Sequence, residues 1–136
     1  MKKFLIPLFF LSILFLSCSD DMEMEEEMEA SVDITTLIKG SYGGDIKYSE
    51  SSSFFTEDDR TATVTTVSDS IANIGISSIS GTITLVAMMN SETDFVIDNA
   101  TIYDESPFNG FGTVMGDSLL IELNLDNKIF EFKGEK

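Results

Sequence analysis

Between Tyr42 and Phe132, apolar residues alternate with polar ones at a period of two. That alternation places one set of side chains on a buried face and the other in water, as in a half-buried β-strand. Tyr42, Gly44, Ile46 and Tyr48 share one face of a first strand. Arg60 to Val67 is a Thr-Val run, and Ile71 to Ile76 follows the turn residues Ser68-Asp69-Ser70. Gly81 to Met88 puts Ile83, Leu85 and Ala87 on one side, and Asn90-Ser91-Glu92 turns the chain. Phe95 and Ile97 share a face, then Ala100 and Ile102, so the parity changes and predicts a bulge near Asp98 and Asn99. Phe111 to Met115, Ser118 to Leu125 and Lys128 to Lys133 complete the set, separated by Gly116-Asp117 and Asp126-Asn127. Leu119, Ile121, Leu123 and Leu125 point one way, and Phe130 and Phe132 point inward. Two stretches read as loops: Ser49 to Asp59, rich in serine and acid, and the segment after Pro107 that holds Phe108-Asn109-Gly110-Phe111.

These eight predicted strands define an all-β domain over residues 31–136. Short links make consecutive strands antiparallel neighbours, an eight-stranded meander. Closing it into a small barrel removes the exposed edges that invite aggregation. A barrel of about eight strands is just wide enough to fill with side chains or hold one small ligand. The same pattern also allows a two-sheet β-sandwich. One short helix is predicted at Asp33 to Gly40, where Ile34, Leu37 and Ile38 share a face, Asp33 caps and Gly40 ends it.

The first seventeen residues do not belong to that domain. Lys2 and Lys3 precede an apolar run from Phe4 to Leu16, 13 residues long. A spanning helix needs about 20. A charged start, a short apolar core and small residues at its end mark a secretory signal peptide over residues 1–17. The chain's one cysteine follows in Phe15-Leu16-Ser17-Cys18, and a lone cysteine forms no internal disulfide. This tetrapeptide resembles the lipobox of bacterial lipoproteins, with Phe15 where an aliphatic residue is usual. The resemblance implies cleavage before Cys18 and triacylation there, palmitate included, so that the outer membrane is a partner through lipid on Cys18. Residues 19–30 hold seven acids and no base, a self-repelling and extended tether. Ser19-Asp20-Asp21 at its start resembles the export signal of Bacteroidota lipoproteins, which implies display on the outer face of the outer membrane. The periplasmic face is the alternative. All 24 acidic residues but only six basic ones lie beyond residue 17, a net charge of −18 that repels nucleic acid.

Gly40-Ser41-Tyr42-Gly43-Gly44, the run Gly112 to Leu119 and Phe130-Glu131-Phe132-Lys133-Gly134 resemble the lipocalin-like (calycin-like) domains of small Bacteroidota lipoproteins. The similarity is a pattern of strands and glycines over most of residues 34 to 134. Tyr42 stands where lipocalins carry Trp. The resemblance implies a barrel and speaks less to function.

Chemistry is sparse. The chain has no histidine, no nucleophile elbow and no cofactor motif, so a non-enzymatic protein without cofactors or metal is expected. Glu57-Asp58-Asp59 and Asp104-Glu105 read as solvated loop charges. Glu57-Asp58-Asp59 lacks the spaced ligands of a calcium loop. Aromatics are the remaining candidates for contact with a ligand or partner: Tyr42, Tyr48, Phe54, Phe55, Tyr103, Phe108 and Phe111. They either anchor a bound group or plug the barrel ends. Two functions are thus expected as alternatives: a binding module for a small apolar or amphipathic ligand, or a protein-interaction or protease-inhibitor module working through its loops, Ser49 to Asp59 or Asn90 to Asp94.

Overall fold

A computed structural model describes residues 35–136. The expected signal peptide, Cys18, Ser19, Asp20, Asp21 and the expected acidic tether lie outside the described residues. One helical turn, α1 (Thr35–Ile38), leads into β1 (Gly40–Glu50), β2 (Ser53–Thr66), β3 (Ile71–Ser78), β4 (Gly81–Met89), β5 (Asp94–Ile102), β6 (Glu105–Met115), β7 (Ser118–Leu125) and β8 (Lys128–Glu135). Each strand pairs antiparallel with the next, and β8 pairs with β1, so the eight strands close into a barrel. The sandwich alternative is excluded by that β1–β8 ladder, which runs from Gly43↔Glu135 to Glu50↔Lys128.

The alternation read from the sequence lines the interior. Ile46, Ile74, Ile97, Ile121, Leu123, Phe95, Phe130 and Phe132 are fully buried and belong to one continuous core. Each such side chain stabilises the fold by about 1.5–3 kcal/mol relative to exposure. The predicted bulge is present: the β5–β6 register shifts between Ile97 and Ala100, and Asn99 takes φ 56°. Leu125 lies at the rim, half-buried against the core. The predicted short helix is present as Thr35–Ile38 among the described residues, and Gly40 opens β1 with φ 148° instead of capping the helix.

Two predicted loops are strands. The segment Ser49 to Asp59 contains only a two-residue turn, Ser51-Ser52, and β2 starts at Ser53. Tyr48↔Phe55 and Lys47↔Thr56 continue the β1–β2 ladder through the supposed loop. Likewise Phe108-Asn109-Gly110-Phe111 lies inside β6, with Ala100↔Phe108 and Ile97↔Gly110 in register with β5. Serine, acid and Pro107 marked these stretches as loops, but cross-strand pairing overrides local propensity.

One end of the barrel is closed by α1. Ile38 is fully buried, and the Tyr42 hydroxyl donates to the Ile38 carbonyl at 2.7 Å. Thr35 Oγ1 donates to the Ser68 carbonyl at 2.9 Å, tying α1 to the β2–β3 turn. The Phe95 ring packs closely over Gly112, its register partner. A Cβ there would lie 2.2 Å from the Phe95 ring, and Phe95 is fully buried. Gly112→Ala therefore forces the ring off its seat. It should lower stability by about 1–3 kcal/mol, read as a shift of the urea midpoint. An unchanged midpoint would show that the ring does not depend on this glycine.

Candidate functional site: the aromatic mouth

The opposite end carries the β1–β2, β3–β4, β5–β6 and β7–β8 turns. Tyr48 sits near the end of β1, directly across from Phe55 on β2. Their rings stack with centroids 5.2 Å apart and planes at 25°. Tyr103, in the β5–β6 turn, meets Tyr48 edge-on at 5.3 Å and Phe55 at 5.5 Å. Phe108 lies beneath, 6.4 Å from Tyr48 and fully buried. Such pairs contribute about 0.5–1.5 kcal/mol each beyond area burial.

Carboxylates fix the rings from behind. Tyr103 Oη donates to Glu57 Oε1 at 2.7 Å, and Tyr48 Oη donates to Glu105 Oε2 at 2.9 Å. Glu57, only 3% exposed, also accepts the Ile79 N–H at 2.8 Å and faces Arg60 Nε at 3.2 Å. Arg60 Nε is shielded from water and lacks an aligned hydrogen bond, so charge holds this pair. One carboxylate thus joins β2, the β3–β4 turn and the β5–β6 turn. Lys128 binds Glu105 and stands 3.5 Å from Glu50. Its ammonium, followed by the Tyr48 hydroxyl, holds the Glu105 carboxyl below the usual range, and Glu105 in turn raises Lys128.

Tyr103 occupies an uncommon backbone state. It has φ 49° and Asp104 has φ 66°, the pair of left-handed residues that a two-residue hairpin turn requires. Glycine or asparagine usually fills such positions, and a bulky residue there costs about 1–3 kcal/mol. The Glu57 hydrogen bond and two ring contacts hold it in place.

Burial, then hydrogen bonding to Glu105, pushes the Tyr48 hydroxyl up to about 12, and burial with Glu57 raises Tyr103 further. Both groups are neutral donors at physiological pH. A tyrosine raised in the fold lends stability that is complete below its unfolded value of about 10 and lost as pH rises through the folded value. The urea midpoint should hold up to about pH 10 and then fall towards pH 12. Tyr48→Phe should flatten part of that fall; an equally steep fall in this variant would count against the assignment.

The structure sorts the seven aromatic candidates. Tyr48, Phe55, Tyr103 and Phe108 come together at the mouth. Tyr42 lies at the α1 end, its hydroxyl committed to Ile38 and its ring covered by Lys136 Nζ at 5.2 Å. Phe54 and Phe111 sit outside the barrel, 74% and 52% exposed. Phe111 does not plug an end of the barrel, because β6 turns it outward from the wall. The sequence marks Glu57 and Glu105 as solvated charges. Glu57 is instead buried, because β2 begins at Ser53 and places Glu57 across the ladder from fully buried Ile46.

Tyr103 also borders a cleft of about 370 Å³, lined by Ser78, Thr82, Thr84, Thr101 and Asp104 among others, where β4 and β5 pair over only three residues each. A groove of about 460 Å³ near Gly44, Leu120 and Gly134 holds none of the mouth residues. Among the described residues, no group of three or more Asp, Glu, Cys or His side chains is placed to hold a metal ion.

Fold and site together define a closed antiparallel β-barrel with a packed interior, one end capped by a helical turn and the other presenting aromatic rings backed by acids. No protein family matches the chain, and no curated protein does. Among solved structures it is similar to the crystal structure of a "putative outer membrane protein" from Bacteroides fragilis. The two share 19% identity and a TM-score of 0.56, over 76% of this chain and 53% of that one. This likeness shows the fold, and the chain spans about half the length of that protein.

Proposed function

We propose that this protein is a lipoprotein anchored at the outer membrane through Cys18 and facing the cell exterior, and that its barrel is a non-enzymatic binding module working at the aromatic mouth. The observation that carries the binding role is the Tyr48–Phe55–Tyr103 cluster. Its hydroxyls are committed to Glu105 and Glu57, while the Phe55 side remains 43% exposed. Pre-set rings lose little freedom on meeting an apolar or amphipathic group. The filled interior favours the mouth over the lumen as the place of contact. Support for the anchor comes from the lipobox-like Phe15-Leu16-Ser17-Cys18 and the acids behind it. The outer-membrane description of the Bacteroides protein agrees with that location.

Native mass spectrometry of the protein purified from its host, then titrated with a panel of fatty acids and other amphipaths, tests the binding role. A bound mass that Phe55→Ser removes is the expected result. A bound mass indifferent to Phe55→Ser would place the ligand elsewhere, and apoprotein throughout would contradict the small-ligand reading. The second reading, recognition of a protein, is favoured by the exposed rim: Phe54 is 74% and Ile79 77% exposed.

A further inference from the structure

β2 is longer than its neighbour. It spans 14 residues, while β3 pairs with it only from Ala62↔Ile76 to Thr66↔Ala72. Ser53 to Glu57 therefore has β1 on one side and, among the described residues, no strand on the other. The free side can be assigned residue by residue. The two-residue turn Ser51-Ser52 makes Glu50 and Ser53 a hydrogen-bonded pair. Alternation along the ladder then gives Phe55 and Glu57 to β1, and directs the N–H and C=O of Phe54 and Thr56 outward along the open edge, with Asp58 following at the bulge where the register shifts. All three residues are exposed.

We infer that this edge accepts an extended, basic segment of another protein as an added strand. An open edge offers main-chain hydrogen bonds to any strand, and flanking side chains choose which. Asp58 and Asp59 line this edge, in a chain that carries −18 beyond residue 17. A second copy would oppose acid to acid and charge to charge, so acids here act against self-pairing. A lysine- or arginine-bearing strand meets the opposite condition. Phe54, on the outward face of the edge, supplies an apolar contact beside it. The inference goes beyond the small-ligand reading: it uses the same end of the barrel and assigns a protein segment to its open edge.

The test uses the full chain purified from membranes in detergent and an eight-residue capped peptide alternating lysine and valine. Fluorescence anisotropy reads affinity, and hydrogen exchange reads the amides of Phe54 and Thr56. The expected result is binding that slows exchange at those amides. Of two peptides N-methylated on alternate residues, one set or the other, a single one should lose tenfold or more in affinity. Thr56→Pro removes only an outward N–H, which edge strands tolerate, and should lose tenfold or more, whereas Thr56→Ala should bind as the parent does. Equal behaviour of the two methylated peptides, unchanged exchange, or wild-type affinity in Thr56→Pro would overturn the inference. So would dimerisation of the full chain through this edge, seen by sedimentation and abolished by Thr56→Pro. Phe55→Ser separates the two readings. If it abolishes amphipath binding while Thr56→Pro leaves peptide affinity intact, the mouth stands and the strand-addition site fails. If Thr56→Pro abolishes peptide binding while Phe55→Ser changes nothing, the edge stands and the mouth reading fails.

Discussion

Glu57→Ala lowers the stability of the barrel by about 3 kcal/mol. The carboxylate it removes is 3% exposed and serves three partners at once: Tyr103 Oη, the Ile79 N–H and Arg60. Alanine leaves two donors without an acceptor, at about 1–3 kcal/mol each. Arg60 is partly exposed at 26% and recovers some hydration, which keeps the loss at the low end of what breaking a buried pair costs. For a domain of this size the melting temperature falls by roughly 15 °C. Glu57→Gln keeps one acceptor oxygen and should cost about half as much. The control is Asp58→Ala, one residue along and exposed, expected within about 0.5 kcal/mol of wild type. Thermal unfolding of the three variants decides the matter. If Glu57→Ala and Asp58→Ala melt together, Glu57 does not join the turns of the mouth.

The other large effect concerns location. Cys18→Ser should release the protein from the membrane fraction and abolish labelling by radioactive palmitate. Each buried methylene of an acyl chain contributes about 0.8 kcal/mol, and anchoring is stable only when more than one chain inserts. The acidic chain beyond Cys18, at −18, is repelled by anionic head groups, so nothing electrostatic replaces the lost lipid. Membrane retention and undiminished labelling in Cys18→Ser would refute the lipid anchor. Replacing Asp20 and Asp21 by alanine tests orientation separately. Retained palmitate with lost accessibility to protease on intact cells would mark these acids as the export signal.

Much of the fold was legible in the alternation itself. Ile83-Leu85-Ala87, Leu119-Ile121-Leu123 and Phe130-Phe132 all face the core as their parity requires. Even the parity break at Asp98-Asn99 marks a real bulge. The mouth was half legible. Tyr48, Phe55 and Tyr103 were singled out as aromatics, but their meeting depends on β2 starting at Ser53. Serine, acid and threonine around Phe54-Phe55 carry the composition of a loop, and no local signal betrays that Tyr48↔Phe55 pairs across it. The same error hid Glu57. A second bulge at Asp59, with φ 56°, switches the inward parity between Glu57 and the pair Ala62 and Val64, so the inward turn of Glu57 shows only in three dimensions. Tyr103 in a left-handed turn position runs against residue preference, and its partners lie 46 and 55 residues away.

The central claim is that recognition happens at the aromatic mouth. It is tested most directly by placing a photo-crosslinking benzoylphenylalanine at position 55 or at position 111 in cells that display the protein. Both positions are exposed phenylalanines, one at the mouth and one on the outer wall. The account predicts a discrete adduct of defined mass from position 55 and none from position 111. Adducts from 111 alone, equal adducts from both, or none from 55 would contradict it.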